Sequence, residues 1–172
     1  KMEIIVILNN IRSLQNVGSI FRTADGAGIK KIYLCGITPA PVDVFNKPRQ
    51  QLTKVSLGAE KYVEWDGLTR SPRAILRLLE RLKKEKYKIF SIEQSKKSIP
   101  YYRISARGGS ANGLKKSKIA LILGGEIKGL PKSILNKSDK VLEIPMRGKK
   151  ESLNVAVAFG IVVFHILNCY NK

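Results

Sequence analysis

The stretch IALILGGEIKGLP, residues 119–131, decides the fold class of this chain. Its first part, Ile119–Leu123, is a continuous apolar run, which is typical of a strand buried on both faces of a parallel sheet. Gly124 and Gly125 follow at once, and a short helix is predicted near residues 131–135. Open α/β sheets bind ligands at such a place, outside the carboxyl ends of their strands. Two interpretations of the glycines stay open: close approach of a ligand to the backbone, or a tight reversal of the chain.

Strands and helices alternate along the rest of the chain. Apolar runs predict further strands at residues 3–8, 31–35, 62–65, 87–92 and 141–144. Helical spacing and cap signals predict helices at residues 16–28, 50–57, 71–84 and 153–170. Residues 39–48 and most of residues 95–118 are predicted as loops. This alternation predicts an α/β domain with a mainly parallel sheet and helices on both of its faces.

The charge balance points to a polyanionic partner. The 172 residues contain 32 Lys and Arg against 13 Asp and Glu, a formal net charge of +19. Nucleic acid is the default partner for such a surplus, and a generically basic surface is the alternative. The 44% apolar content excludes a disordered basic tail. Two basic groups are candidate contacts: Arg73, Arg77, Arg81 and Lys84 on one predicted helix, and Lys115, Lys116 and Lys118 in a predicted loop.

Cysteine and histidine are too scarce for several classes of site. Cys35 and Cys169 lie far apart in sequence, and His165 is the single histidine. A disulfide scaffold, a structural zinc site and a histidine-based triad are therefore disfavoured, and no metal is implied. No N-terminal signal peptide is visible, so we expect a cytoplasmic protein.

The last predicted helix is apolar on all sides. In Leu153–Tyr170 only Asn154, Gly160, His165 and Asn168 are not apolar. A membrane span is disfavoured, because the run is marginal in length and is interrupted by polar residues. A helix that is apolar all round must be buried all round. The sheet covers one side, and a second subunit is the simplest cover for the other, so we expect a homodimer with no membrane partner.

Two more segments have an unusual composition. One, NVGSIFRTADG, begins at Asn16, and the other, IPMRGKKESLN, ends at Asn154. Taken singly, each of these residues has an ordinary explanation. Asn16 is explained as a helix cap, Arg22 as a surface charge, and Ser152 as the cap of the last helix. Asn154, at the start of an apolar helix, needs a hydrogen-bond partner if it is buried, which hints at a site.

Together the three segments resemble motifs 1, 2 and 3 of the SpoU (TrmH-like) RNA 2′-O-ribose methyltransferases of the SPOUT superfamily. Their order, their spacing and the terminal position of the third segment all match, and the resemblance covers nearly the whole chain. The family pattern assigns Asn16 and Arg22 to motif 1, Glu126 and Gly129 to motif 2, and Ser152 and Asn154 to motif 3.

The resemblance implies a fold, a cofactor and a subunit arrangement. The fold is a parallel α/β sheet whose C-terminal part is tied into a deep trefoil knot, here as one domain over residues 2–172 without a separate N-terminal RNA-binding domain. S-adenosylmethionine is expected in the knot, and the active site at a dimer interface. The implied cofactor-binding residues are Leu123, Gly124, Gly129, Ile144, Met146, Ser152 and Leu153.

The implied reaction is attack of a ribose 2′-hydroxyl on the activated methyl group of the cofactor, in which the sulfur–methyl bond breaks, the demethylated cofactor leaves, and a phosphate oxygen or water takes the hydroxyl proton. The implied catalytic residues are Arg22, Asn16, Glu126, Ser152 and Asn154. Because arginine is effectively never deprotonated, we interpret Arg22 as a clamp for the target phosphate and for a developing alkoxide, not as a base. Structured tRNA or rRNA both fit as substrates, with tRNA slightly favoured.

Two other functions compete with this one. A non-catalytic basic RNA-binding module would explain the charge but not the third segment. An ordinary Rossmann methyltransferase needs a glycine-rich loop after the first strand and an acidic residue ending the second. Leu8-Asn9-Asn10 and Cys35-Gly36 offer neither. The chain also lacks GxGxxG after the first strand and a GxxxxGK[ST] motif, which disfavours nicotinamide dinucleotides and P-loop chemistry.

Overall fold

The computed structural model describes residues 2–67, 71–104 and 117–170. Seven parallel strands form one sheet, and the order across it is β3-β2-β1-β6-β4-β7-β5. The strands are β1 Glu3–Asn9, β2 Lys31–Cys35, β3 Glu64–Gly67, β4 Tyr87–Ile92, β5 Ile99–Pro100, β6 Lys118–Gly124 and β7 Lys140–Glu143. The helices are α1 Leu14–Gly26, α2 Gln50–Ser56, α3 Pro72–Lys84, α4 Lys132–Leu135 and α5 Val155–Tyr170. The predicted α/β class with a mainly parallel sheet is confirmed.

Two apolar cores cover the two faces of the sheet. Alternate residues of β1 point to opposite faces, so Val6 and Leu8 belong to one core and Ile5 and Ile7 to the other. Helices α1, α2 and α5 pack on the first face, and α3 and α4 pack on the second. The central strands are buried on both sides, which explains why their sequences are continuous apolar runs.

The strand order places three chain segments side by side. β6 comes late in the chain but pairs with β1 on one side and β4 on the other. β7 pairs with the opposite edge of β4. The carboxyl end of β4 therefore lies between the turn that follows β6 and the segment that follows β7. These are the segments that the sequence marks as motifs 2 and 3.

The helix caps correct two interpretations made from the sequence. Helix α1 begins at Leu14, because the Ser13 side chain accepts a hydrogen bond from the Asn16 amide at 3.2 Å. Asn16 therefore lies in the first turn and is not the cap. Helix α5 is capped by Asn154, whose Oδ1 accepts from the Ala156 amide at 2.9 Å, and not by Ser152.

Several element boundaries also differ from prediction. The predicted strand at 62–65 lies at Glu64–Gly67. It is at the edge of the sheet, where most side chains are exposed and the apolar pattern in the sequence is therefore weak. The predicted loop over 95–118 contains β5 and a 3₁₀ turn at Tyr101–Arg103, both too short to show a period. Lys118 begins β6 and is not a loop residue, whereas Lys115 and Lys116 fall outside the described residues.

Among the described residues, helix α5 is buried on one side only. Phe159 and Val163 are fully buried, whereas Val157 and Phe164 are 51% and 50% exposed. No helix in the described part of the chain is long and apolar enough to span a membrane.

Candidate active site

A cavity of about 560 Å³ opens at the carboxyl ends of β6, β4 and β7. Its walls come from the turn after β6, the end of β4, the segment after β7 and the start of α5. The structure brings together on this lining all the residues predicted to bind a cofactor: Leu123, Gly124, Gly129, Ile144, Met146, Ser152 and Leu153. Of the residues predicted to be catalytic, Glu126, Ser152 and Asn154 line it as well.

The glycines after β6 are required by contacts within the chain. A Cβ atom at Gly124 would lie 2.5 Å from the Gly129 carbonyl carbon, and one at Gly125 would lie 2.3 Å from the Asn10 carbonyl oxygen. Gly129 donates its amide to the Gly125 carbonyl at 2.9 Å and has φ +58°. These contacts show that both glycines permit a tight reversal of the chain; both also line the cavity, so close approach of a ligand to their backbone stays a prediction.

A chain of side-chain hydrogen bonds joins the three motifs. Asn16 donates from Nδ2 to Glu126 Oε1 at 2.8 Å, and Asn154 donates from Nδ2 to Asn16 Oδ1 at 3.0 Å. The Asn154 Oδ1 atom in turn accepts from the first turn of α5. Because an ionised carboxylate only accepts hydrogen bonds, Glu126 fixes the orientation of the Asn16 amide, and Asn16 then fixes that of Asn154.

These contacts also set the ionisation of Glu126. Its partial burial acts to raise the pKa of the carboxyl group. The hydrogen bonds from Asn16 and from backbone amides, including that of Arg12, outweigh this effect and lower the pKa below its usual value. Glu126 is therefore a carboxylate at neutral pH and acts as the fixed acceptor at the start of this chain of hydrogen bonds.

Arg22 lies apart from the cavity of its own chain. Its side chain is exposed on α1 and is not among the lining residues. Within the described part of the chain, Arg22 makes no ion pair or side-chain hydrogen bond. The structure therefore brings Asn16, Glu126 and Asn154 together and leaves Arg22 outside this group.

Strand β4 also contributes residues to the cavity, and none of them is predicted from the sequence. Glu93 and Gln94, directly after this strand, line the cavity between the motif 2 turn and the motif 3 segment. Glu143, at the end of β7, and Ala158, on α5, line it too. No local pattern marks Glu93 or Gln94, because their position depends on the order of the strands in the sheet. Among the described residues, no group of three or more His, Cys, Asp or Glu side chains is placed to hold a metal ion.

Comparison with known proteins decides the family. The model of the SpoU rRNA Methylase family matches residues 3–164. This chain is a member of the SpoU rRNA methylase family. As in the resemblance drawn from its three motifs, the match extends from β1 into α5.

Individual curated proteins are also similar to this chain. The chain is 32% identical over 162 residues to an uncharacterized tRNA/rRNA methyltransferase of Borreliella burgdorferi, covering 94% of this chain and 62% of that protein. It is 28% identical over 161 residues to the 23S rRNA (guanosine-2′-O-)-methyltransferase RlmB of Xylella fastidiosa, covering 94% and 57%. The chain thus spans about 60% of the length of these curated relatives.

A solved rRNA methyltransferase structure shares the fold. The crystal structure of an AdoMet-bound rRNA methyltransferase from Sinorhizobium meliloti superposes with a TM-score of 0.79 at 25% identity, covering 96% of this chain and 56% of that one. The seven-stranded parallel sheet described above is therefore a SPOUT methyltransferase fold.

Proposed function

We propose that this chain is an S-adenosylmethionine-dependent RNA methyltransferase that modifies a ribose 2′-hydroxyl. The observation that carries the proposal is the cavity where motifs 2 and 3 meet, bordered by the hydrogen-bonded Asn16, Glu126 and Asn154. Its supports are membership of the SpoU family and relatives whose names state tRNA/rRNA or 23S rRNA 2′-O-methylation.

The cavity residues fit the proposed cofactor. A volume of about 560 Å³ lies within the range of small-molecule sites. Leu123, Ile144, Met146 and Leu153 supply apolar walls suited to a purine ring, and the turn at Gly124 brings backbone polar groups to the lining. S-adenosylmethionine carries an already activated methyl group, so the protein has to bind and orient the cofactor and the ribose, and to exclude water. No metal is part of the proposal.

The side chains around the cavity then have separate roles. The chain of hydrogen bonds from Glu126 through Asn16 to Asn154 holds the start of α5 and the motif 2 turn at a fixed separation. Ser152 also lies on the lining and makes no side-chain hydrogen bond among the described residues, so its hydroxyl is proposed to bond substrate or cofactor. Arg22 is proposed to clamp the target phosphate and to stabilise charge developing on the ribose oxygen.

We propose further that the active unit is a homodimer in which Arg22 serves the site of the partner. Val157 and Phe164 form an apolar strip on α5 that the described chain leaves about half exposed. Arg22 lies near this strip, because α1 packs on α5 where Thr23 approaches Gly160. A second copy on the strip would cover it and would bring in an arginine that the cavity of a single chain lacks. A deep trefoil knot in the C-terminal part of the chain also belongs to this proposal.

The proposed substrate is structured RNA, with tRNA slightly favoured over rRNA. The surplus of 19 positive charges and the exposed arginines of α3 support a polyanionic substrate. A non-catalytic RNA-binding module of the same fold is the second candidate, favoured only by this charge.

The test is nucleoside mass spectrometry of tRNA and rRNA incubated with the protein and S-adenosylmethionine. We expect one 2′-O-methylated nucleoside to accumulate with the wild-type protein and not with Arg22→Ala. RNA binding without any methylated nucleoside, in both RNA pools, would support the binding module instead.

A further inference from the structure

We propose that Glu93 and Gln94 are positioning residues that hold together the motif 2 turn and the motif 3 segment, the two loops expected to bind the cofactor. This inference rests on the proposed function, since it concerns the same cavity. Neither residue belongs to the three motifs. Both follow β4, the strand that lies between β6 and β7, so they occupy the gap between the motif 2 turn and the motif 3 segment.

Glu93 binds the motif 2 turn through its side chain. Its Oε2 atom accepts the Leu130 amide at 2.8 Å, and its Oε1 atom accepts the Gln94 amide at 2.9 Å. The Glu93 amide donates to the Leu142 carbonyl of β7 at 2.9 Å. One residue thus contacts the turn after β6 with its carboxylate and the strand before motif 3 with its backbone.

Gln94 completes the connection on the other side. Its Nε2 atom donates to the carbonyl oxygen of Glu151, in the motif 3 segment just before Ser152. The next turn adds one more bond to this wall, because Ser98 Oγ donates to Glu143 Oε2 at 2.6 Å. Both walls of the cavity are therefore bonded to residues 93–98, a segment in which the sequence predicts no strand or helix.

The glycine at position 129 is explained by the same contact. A Cβ atom at Gly129 would lie 2.3 Å from Glu93 Oε2, in addition to the strain of φ +58°. A side chain at this position would displace the carboxylate from the Leu130 amide. Glu93 and Gly129 thus form a matched pair, in which the glycine leaves room for the carboxylate that holds the turn.

The test compares Glu93→Ala with Glu93→Gln and with Glu80→Ala. Glu80 is exposed on α3, pairs with Lys137 away from the cavity, and controls for the loss of one negative charge. We expect Glu93→Ala to weaken S-adenosylmethionine binding in calorimetry by about tenfold or more, since it removes a charge-assisted hydrogen bond. Glu93→Gln keeps an acceptor for the Leu130 amide, although it loses the one for the Gln94 amide, and should stay within about threefold of wild type.

Steady-state kinetics and hydrogen exchange separate positioning from general stability. The KM for S-adenosylmethionine should rise in Glu93→Ala while the KM for RNA and the melting temperature stay near the values of Glu80→Ala. The Leu130 amide should exchange faster in Glu93→Ala and regain protection in Glu93→Gln, whether or not any cofactor binds. Equal cofactor affinity in wild type and Glu93→Ala, or unchanged exchange at Leu130, would overturn the inference. Failure of the wild-type protein to bind the cofactor, with the exchange result intact, would instead overturn the proposed function.

Discussion

Asn154 donates a hydrogen bond to Asn16 at 3.0 Å, although 138 positions separate the two residues along the chain. Asn154 simultaneously caps α5, and Asn16 simultaneously binds Glu126. Each side-chain amide thus uses both its NH2 donor and its oxygen acceptor, so a flipped orientation of either amide would lose these hydrogen bonds. One contact of two neutral side chains therefore couples the first helix, the last helix and the turn after the central strand.

Loss of the central amide should disable the site without unfolding the protein. We expect Asn16→Ala to reduce methyl transfer at least about 10-fold, because Asn154 and Glu126 each lose a hydrogen-bond partner. The fold should survive, since Ser13 and not Asn16 caps α1. The measurement is the single-turnover rate together with the melting temperature. An Asn16→Ala protein that melts like wild type and reacts at the wild-type rate would show that the contact has no catalytic role.

The same substitution should change the ionisation of Glu126. Partial burial raises the pKa of this carboxyl and hydrogen bonds lower it, with a net lowering in the wild-type chain. Without the Asn16 donor, the pKa should move upward, as seen by carboxyl-detected NMR titration. Because the folded pKa is depressed, Glu126 contributes stability above its unfolded pKa, and this contribution disappears as the pH falls through the folded pKa. The free energy of unfolding should therefore depend less on pH in the acid range in Asn16→Ala than in the wild-type protein.

The two cysteines should differ in reactivity. Burial, aided by the charge of Asp66, raises the pKa of Cys35 to about 12, and the side chain is almost fully enclosed. Cys169 is half-buried. Iodoacetamide at pH 8 should label Cys169 in the native protein and leave Cys35 unlabelled, which peptide mass spectrometry can check. Labelling of Cys35 at the same rate would mean that β2 opens readily.

The elements that sequence predicts best are those whose burial dictates composition. The apolar runs of β1 and β6 and the amphipathic pattern of α3 determine their own secondary structure, so the predicted bounds of these elements lie within about one residue of the observed ones. Strand order is a different matter, because pairing partners leave no trace in a local pattern. Glu93 and Gln94 could therefore not be placed beside the cavity. The glycines after β6 are ambiguous in the sequence for a related reason. The Asn10 carbonyl occupies the space that a side chain at Gly125 would need, and only the fold brings the two residues together.

RNA affinity should depend on salt through the arginines near the carboxyl edge of the sheet. Arg73 and Arg77 are exposed on α3 and belong to none of the described salt bridges. Replacing both by Gln should reduce the slope of log affinity against log salt by about 1.4–1.8, if each contacts one phosphate. The matched control is Lys88→Gln with Lys140→Gln, an equal charge loss at the amino end of the sheet. Equal slopes for both variants would mean that α3 does not contact the RNA.

The last prediction concerns whether each active site is shared between two subunits. Arg22→Ala should inactivate the enzyme but keep an intact cofactor cavity, because Arg22 does not line it. A second inactive variant must block the cavity and keep Arg22. Gly124→Val is unsuitable, because its Cβ would lie 2.5 Å from the Gly129 carbonyl carbon and would disrupt the turn. Met146→Trp is preferable, since Met146 lies on the cavity wall in an irregular segment and its enlargement fills the space.

Co-expression of Arg22→Ala with Met146→Trp should then restore activity. If Arg22 serves the partner's cavity, a mixed dimer contains one complete site, with its cavity from the first variant and its arginine from the second. Random pairing makes about half of the dimers mixed, and each has one of two sites working, so activity should return to about a quarter of wild type. Calorimetry must first show that Met146→Trp has lost the cofactor, and sedimentation must show that both variants are folded dimers. With those controls met, activity near zero would place Arg22 in its own chain's site or outside the reaction, because no combination of subunits would then supply what either variant lacks.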